Sequence, residues 1–446
     1  MGWEGARLSE TAAKQPYVHF DARLCTGSTN CVKSCPTAAV RVRGGKAVAE
    51  VERCVGCGEC IRMCPNGAVR PVSSSSGDLT DGRMHVAVVS PVLYAQFAHA
   101  MPGDVVLGMS RMGFAHVLDQ SCMLEMFQGA AESFVARNRI TREAPWPLIS
   151  PVCPVVVRLI ALKFPGLLPH LLPIMRPMAL TARSARGQLS RETGLPPRNI
   201  VLHHVTPCAA KMVPARSAFP HERELVDDAM GINEVYGELT RQLERIEKEG
   251  PAPFVPNRQT MAASGRGLAW GLSGGEIEGM DLERCLAVSG LRETITYLEK
   301  IDMGLFRDLE YMEFRTCPEG CVGGPLAAID KYLAKCYAKR RIRTLGLGRR
   351  VRREQIHRLF DQGWFDSPLD ENETGSLSSG MDTLSIADLQ KIEDIMSILG
   401  GKDCGICGAP DCRTFAEDVV RGRADIDLCL LRRQGCRDKG PGTAGS

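Results

Sequence analysis

Apolar and polar positions change rhythm several times along these 446 residues. Met84-His85-Val86-Ala87-Val88-Val89 is a nearly continuous apolar run that stops at Ser90-Pro91, the pattern of a buried strand. Pro147 to Val152, Asn199 to Thr206 and Leu309 to Arg315 read as strands too. Between and beyond them, Leu291 to Ile301 and Leu384 to Leu399 repeat their apolar residues at helical spacing. Strand runs alternating with helical ones predict an α/β domain. The most apolar region, Leu148 to Leu180, is broken by Arg158, Lys163, His170 and Arg176 and by Pro165, Pro169 and Pro173, so it predicts core and no membrane span.

A chain this long exceeds one ordinary core, and two or three domains are expected. Ser73 to Asp78 is a polar joint, and Asp366 to Asp382, rich in Asp, Glu, Ser and Gly, has the composition of a linker. A formal net charge of +3 gives no overall case for nucleic acid. The dense basic run within Lys331 to Arg353 reads as a solvated face or as a dock for an acidic electron donor or a regulatory partner. Its only interleaved aromatics, Tyr332 and Tyr337, argue against nucleic acid. The 19 cysteines change the picture most: they cluster at metal-ligand spacings, and no signal peptide is recognisable, which predicts a reducing cytoplasmic setting and bound metal.

Three of the predicted strands end at cysteine: Ser150-Pro151-Val152-Cys153, then Val205-Thr206-Pro207-Cys208, then Arg315-Thr316-Cys317-Pro318-Glu319-Gly320-Cys321-Val322-Gly323-Gly324. Ligands of α/β sheets gather beyond the carboxyl ends of the strands, so these four thiols are placed to converge on one buried group. The glycines of the last segment let backbone approach something bulky. The alternative is a set of unrelated turns with buried thiols.

Residues 25 to 70 contain a duplication, Cys35-Pro36-Thr37-Ala38-Ala39-Val40-Arg41 echoed by Cys64-Pro65-Asn66-Gly67-Ala68-Val69-Arg70. This resembles a bacterial two-cluster ferredoxin, in which the fourth cysteine of each run ligates the other cluster. The resemblance implies a [4Fe-4S] cluster on Cys54, Cys57, Cys60 and Cys35. It implies a second cluster on Cys25, Cys31 and Cys64, with Ser28 where a fourth cysteine is expected. That site admits a serine or water ligand, or [3Fe-4S]. The run Cys404-x2-Cys407-x4-Cys412-x16-Cys429 resembles a small four-cysteine [4Fe-4S] domain, with zinc as the rival.

The strand-end segments resemble the signature motifs of the [FeFe]-hydrogenase large subunit, T-S-C-C-P, M-P-C-x-x-K and E-x-M-A-C-P-x-G-C-x-G-G. The likeness extends over roughly residues 84 to 330. It implies an H-cluster, a [4Fe-4S] cubane on Cys153, Cys208, Cys317 and Cys321, with Cys321 bridging to a di-iron centre that carries CO and cyanide. Lys211 would donate to a cyanide, and Ser90-Pro91 would contact the di-iron centre. The implied architecture is α/β, two α/β lobes around a buried cofactor (84–365), with a ferredoxin-like α+β domain (1–75), a linker (366–383) and a small iron-sulfur domain (384–446).

The departures concern reactivity. Val152 stands where fast members of the family carry a proton-passing cysteine, and Thr206 and Arg315 replace methionines beside the di-iron centre. Similar changes mark branches regarded as sensory. Glu319 is a candidate substitute proton carrier, and Glu132 another by approximate alignment. The expectation is slow interconversion of protons and H2 in H2 or redox sensing by an anaerobe's protein, with a ferredoxin or regulatory partner and dedicated maturation proteins. The alternatives are a non-catalytic electron-transfer or cluster-handling protein on the same scaffold, and an efficient hydrogenase with a relocated proton route. Cys122, Cys285, Cys336 and Cys436 are left over as plain thiols. Adjacent His203 and His204 should face opposite sides of a strand, in satisfied core roles.

Overall fold

The computed structural model describes residues 16–72, 79–214, 222–223, 225–249, 263–367 and 384–432. The joint at 73–78, most of the expected linker and Cys436 lie outside them. The chain divides into two bodies, one holding residues 55–57 and 72–377, the other residues 16–54, 58–71 and the C-terminal segment.

In the second body the duplicated sequence gives duplicated structure. Strand β1 (Val18–Phe20) pairs antiparallel with β4 (Val69–Pro71), and β2 (Val40–Arg43) with β3 (Lys46–Ala49). The short helices α1 (Asn30–Lys33) and α2 (Glu59–Met63) each follow a residue in the left-handed region, Thr29 and Gly58. The C-terminal segment joins this same body. Its helix Cys412–Val420 carries the buried Asp418, which accepts from Arg41 Nε and Arg43 Nη2, both at 2.6 Å. Val42 donates its backbone N–H to Gly408 at 2.8 Å. A Cβ on Gly408 would stand 2.0 Å from the Val42 carbonyl oxygen, so only glycine lets the two backbones approach this closely.

The larger body contains two parallel sheets. The first has the order β6-β5-β8-β9, from β5 (Met84–Val89), β6 (His116–Asp119), β8 (Ile200–Thr206) and β9 (Asp228–Gly231). The second runs β10-β11-β7, from β7 (Leu148–Ile149), β10 (Cys285–Ser289) and β11 (Tyr311–Arg315). β8 is buried throughout, as a parallel strand covered on both faces must be, and its apolar run is interrupted by the buried His203 and His204. Helices α3 (Pro102–Arg111), α4 (Ser121–Thr141), α5 (Pro154–Lys163), α6 (Pro177–Thr193), α7 (Ile232–Glu249) and α8 (Leu291–Asp302) connect and cover the sheets. The apolar stretch from Leu148 to Leu180 becomes β7, α5 and the start of α6, and among the described residues no helix is long and apolar enough to cross a membrane.

The basic run is only partly the exposed face expected of it. It forms α9 (Lys331–Leu345) and leads into α10 (Arg353–Asp361). Arg341 is buried, its Nε donating to the Ala100 carbonyl at 3.0 Å, while Arg349 pairs with Glu132 at 2.6 Å and Arg353 with Asp281. Lys339, Arg340 and Arg343 remain exposed.

Candidate functional site

The carboxyl ends of both sheets open onto one region. From the first sheet come Ser90-Pro91 after β5, Gln120 after β6 and Pro207-Cys208 after β8; from the second come Cys153 beyond β7 and Thr316-Cys317 after β11. Cys153 caps the N-terminus of α5, and Cys208 opens the tight turn Ala209–Lys211, so each thiol is fixed by the start of a helical turn. In the third segment Gly320 has φ of +92°, and a Cβ on Gly324 would stand 2.4 Å from the Pro207 carbonyl oxygen. Glycine there lets the third loop close against the second.

Two adjoining cavities result. The first, of about 540 Å³, is lined by Cys153, Cys208, Cys317 and Cys321, with Val152, Thr206, Arg315 and Cys57 among its other walls. The second, of about 530 Å³, is lined by Pro91, Gln120, Arg176, His204 and Trp270. Ser90, Val152, Lys211 and Cys321 border both. Burial pushes the Cys208 thiol up to about 11; Cys153 and Cys321 add to the rise and Lys211 opposes it. Burial likewise raises Cys321, against the pull of Arg315 and Lys211. Several buried thiols resist ionising together unless cationic metal compensates them, so this donor set and its cavity fit a thiolate-held iron-sulfur group.

Arg315 is fully buried. Its Nη2 donates to Glu276 at 2.6 Å and lies 3.5 Å from Glu313, and its guanidinium stands 5.5 Å from the Trp270 ring centre. Tyr311 O–H also donates to Glu276, at 2.5 Å. Burial pushes the Glu313 carboxyl up, against the pull of Arg315, and Glu276 adds to the rise. Among the described residues, Nε of Arg315 has no partner. The pair Arg315–Glu276 was not legible in the sequence, because its members lie on separate elements.

Glu319 and Glu132 are not among the residues lining either cavity. Glu319, at φ of +64°, ion-pairs with Lys335 of α9. Glu132 accepts from Arg349 at 2.6 Å and from the Asp281 backbone N–H at 2.8 Å. The adjacent histidines differ from expectation. His203 is satisfied, 2.9 Å from His85 and 3.1 Å from Asp228, but His204 borders the second cavity with Nδ1 unpartnered among the described residues. Strand alternation gave their opposite directions and could not give the cavity.

Two of the other cysteine sets each line a cavity, whereas Cys57 lines the first cavity described above. Cys25, Cys31 and Cys64 line a cavity of about 320 Å³ together with Ser28. Burial raises the Cys31 thiol, with Cys25 and Cys64 adding to it, and burial raises Cys60, with Cys54 and Cys35 adding. Backbone N–H groups of Ala39 and Ala68 donate to the sulfurs of Cys35 and Cys64, both at 3.2 Å, the same contact in each repeat. Such bonds favour the thiolate. Cys404, Cys407, Cys412 and Cys429 line a cavity of about 380 Å³. Of the leftover thiols, Cys336 is exposed and Cys122 and Cys285 are half-buried.

Residues 83–281 match the family model described as iron only hydrogenase large subunit, C-terminal domain. Residues 17–65 match the 4Fe-4S dicluster domain and residues 399–431 the putative Fe-S cluster family. Iron hydrogenase 1 of Clostridium pasteurianum is 25% identical over 227 residues, 49% of this chain and 36% of that protein. The cytosolic Fe-S cluster assembly factor nar1 of Aspergillus clavatus is 28% identical over 176 residues, 34% of this chain and 28% of that protein. The chain thus spans about a third of the length of these curated relatives. A solved variant of the Chlamydomonas reinhardtii [FeFe]-hydrogenase aligns at 16% identity with a TM-score of 0.46, covering 66% of this chain and 93% of that one.

Proposed function

With the C-terminal domain of the iron-only hydrogenase large subunit as the premise, set between two iron-sulfur domains, we propose that this protein holds an H-cluster and interconverts protons and H2 slowly, in H2 or redox sensing. What supports this is the pair of adjoining cavities, one with Cys153, Cys208, Cys317 and Cys321 in its lining and the other joined to it at Cys321 and Lys211. Cys153, Cys208, Cys317 and Cys321 would hold the [4Fe-4S] cubane, with Cys321 also joined to the di-iron centre. When bound, that group supplies the redox-active iron for 2H⁺ + 2e⁻ ⇌ H2. Lys211 supplies a cation for an anionic ligand, and Ser90 and Pro91 form a wall.

Two features of the chain set the rate. Val152 is 5% exposed and borders both cavities, so it excludes water and carries no proton where a carrier is needed. Arg315 holds a permanent cation that favours negative charge at Cys321, an effect reduced by Glu313 beside it and by its own pairing with Glu276. Electrons would pass through the clusters on Cys54, Cys57, Cys60 and Cys35, on Cys25, Cys31 and Cys64, where [3Fe-4S] is one form, and on Cys404, Cys407, Cys412 and Cys429. The partners would be a ferredoxin or a regulatory protein, in the cytoplasm.

The test is an H2 assay on protein matured with the hydrogenase maturation proteins. Slow wild-type turnover, raised by Val152→Cys by about a hundredfold, the lower range of proton-transfer catalysis, is expected. Fast turnover abolished by Glu319→Gln contradicts it and favours a relocated proton route. The similarity to nar1, named as a cluster assembly factor, favours a second reading, cluster handling without catalysis. Matured protein that holds its cubane and shows no CO or cyanide vibrations would establish that one instead.

A further inference from the structure

His204 lies near the end of β8, is 1% exposed and borders the second cavity. Its Nε2 is 3.2 Å from the side-chain nitrogen of Gln120. An amide nitrogen can only donate, so Nε2 accepts and the ring's single proton sits on Nδ1. Burial, with Lys211 and Arg176 adding to it, pulls the imidazole well below the ordinary histidine range and keeps it neutral. Nδ1–H is therefore a fixed, buried donor, and among the described residues none offers it an acceptor. Leaving a buried donor unpaired is costly, so an orphan bordering a cavity points to an acceptor within that cavity. The same walls carry the cation of Lys211, which selects for an electron-rich, anionic ligand atom, while Arg176 beside it is paired with the buried Glu222.

We propose that His204 donates a hydrogen bond through Nδ1–H to the anionic ligand set of the group held in the second cavity, with Gln120 as the positioning residue that fixes its tautomer. This rests on the H-cluster reading, in which that ligand set is cyanide. Lys211 acts as a mobile point charge. His204, locked on a strand and tethered by Gln120, adds direction.

The experiment is infrared spectroscopy of matured wild-type protein, His204→Leu and His204→Asn. Leu removes the donor, whereas Asn places an amide nitrogen close to the position of Nδ1. A shifted cyanide-region band in the Leu variant, moved back toward its wild-type position in the Asn variant at equal iron content, is expected. A Leu spectrum superimposable on that of the wild type overturns this inference and leaves the H-cluster reading standing. Absence of cyanide bands from the wild type overturns both. Should His204→Leu fail to fold, Gln120→Leu frees the ring without removing it. A smaller shift of the same band is then expected, and an unmoved band overturns the proposal.

Discussion

The two adjoining cavities differ in what the chain has kept. The first presents Cys153, Cys208, Cys317 and Cys321 on three loops, with Cys57 as a fifth thiol in its wall. The second presents a valine, a lysine, an arginine, a histidine and a glutamine on elements from both sheets. A ligand set tolerates little change because each thiolate fills a coordination position. The surroundings can vary residue by residue while the same group stays bound. On the proposed function, what is held and how fast it works would be set by different residues.

Removing a thiol should break the first cavity alone. Cys208→Ala is expected to lose the cubane of this site, seen as a fall in iron and sulfide content, while the clusters of the second body persist by paramagnetic resonance. Arg315 borders the first cavity, and its loss should cost folding more than binding. Arg315→Met leaves Glu276 and Glu313 buried without their cation, expected to destabilise by about 3–5 kcal/mol in anaerobic urea unfolding. Adding Glu276→Gln should recover most of that, and no recovery would show that the carboxylates are not the cause.

Glu310, just before β11, provides a control away from both cavities. Arg139 at 2.6 Å and Arg284 at 2.5 Å hold its carboxyl below the ordinary carboxylate value. A depressed carboxylate stabilises the fold at pH above its unfolded value of about 4.3, and that contribution is lost as pH falls through the lower folded value. Glu310→Gln should lower stability by about 1 kcal/mol at pH 7 and flatten the acid decline, measured as Tm against pH. The smallest effect is expected from Glu319→Gln. Its pairing with Lys335 is partly exposed, so a loss of about 0–0.5 kcal/mol and under a twofold change in rate are expected.

Much of this contrast was legible in the sequence for a physical reason. Cluster ligands cannot drift without losing a coordination position, so their spacing is readable in the chain; Cys153, Cys208, Cys317 and Cys321 line one cavity, Cys25, Cys31 and Cys64 another and Cys404, Cys407, Cys412 and Cys429 a third, whereas Cys57 lines the first of these and not a cavity with Cys54, Cys60 and Cys35. Strands β5, β8 and β11 were visible because burial on both faces leaves them rich in apolar and β-branched or aromatic residues, even where His203, His204, Glu313 and Arg315 interrupt the run. β10 was not, since four of its five residues are only half-buried, and α4 escaped because buried residues surround most of it and blur its period. The Arg315–Glu276 pair spans 39 residues and the Gln120–His204 contact 84, and no local pattern announces either. The C-terminal segment's place against the ferredoxin strands rests on Arg41 and Asp418, which are 377 residues apart.

The central claim is that the intact thiol set and Lys211 hold an H-cluster. Infrared spectroscopy of the full chain, matured anaerobically with the hydrogenase maturation proteins, tests it most directly. CO and cyanide stretching bands, lost in Cys321→Ala, are the expected result; a fully iron-loaded protein without such bands would contradict it.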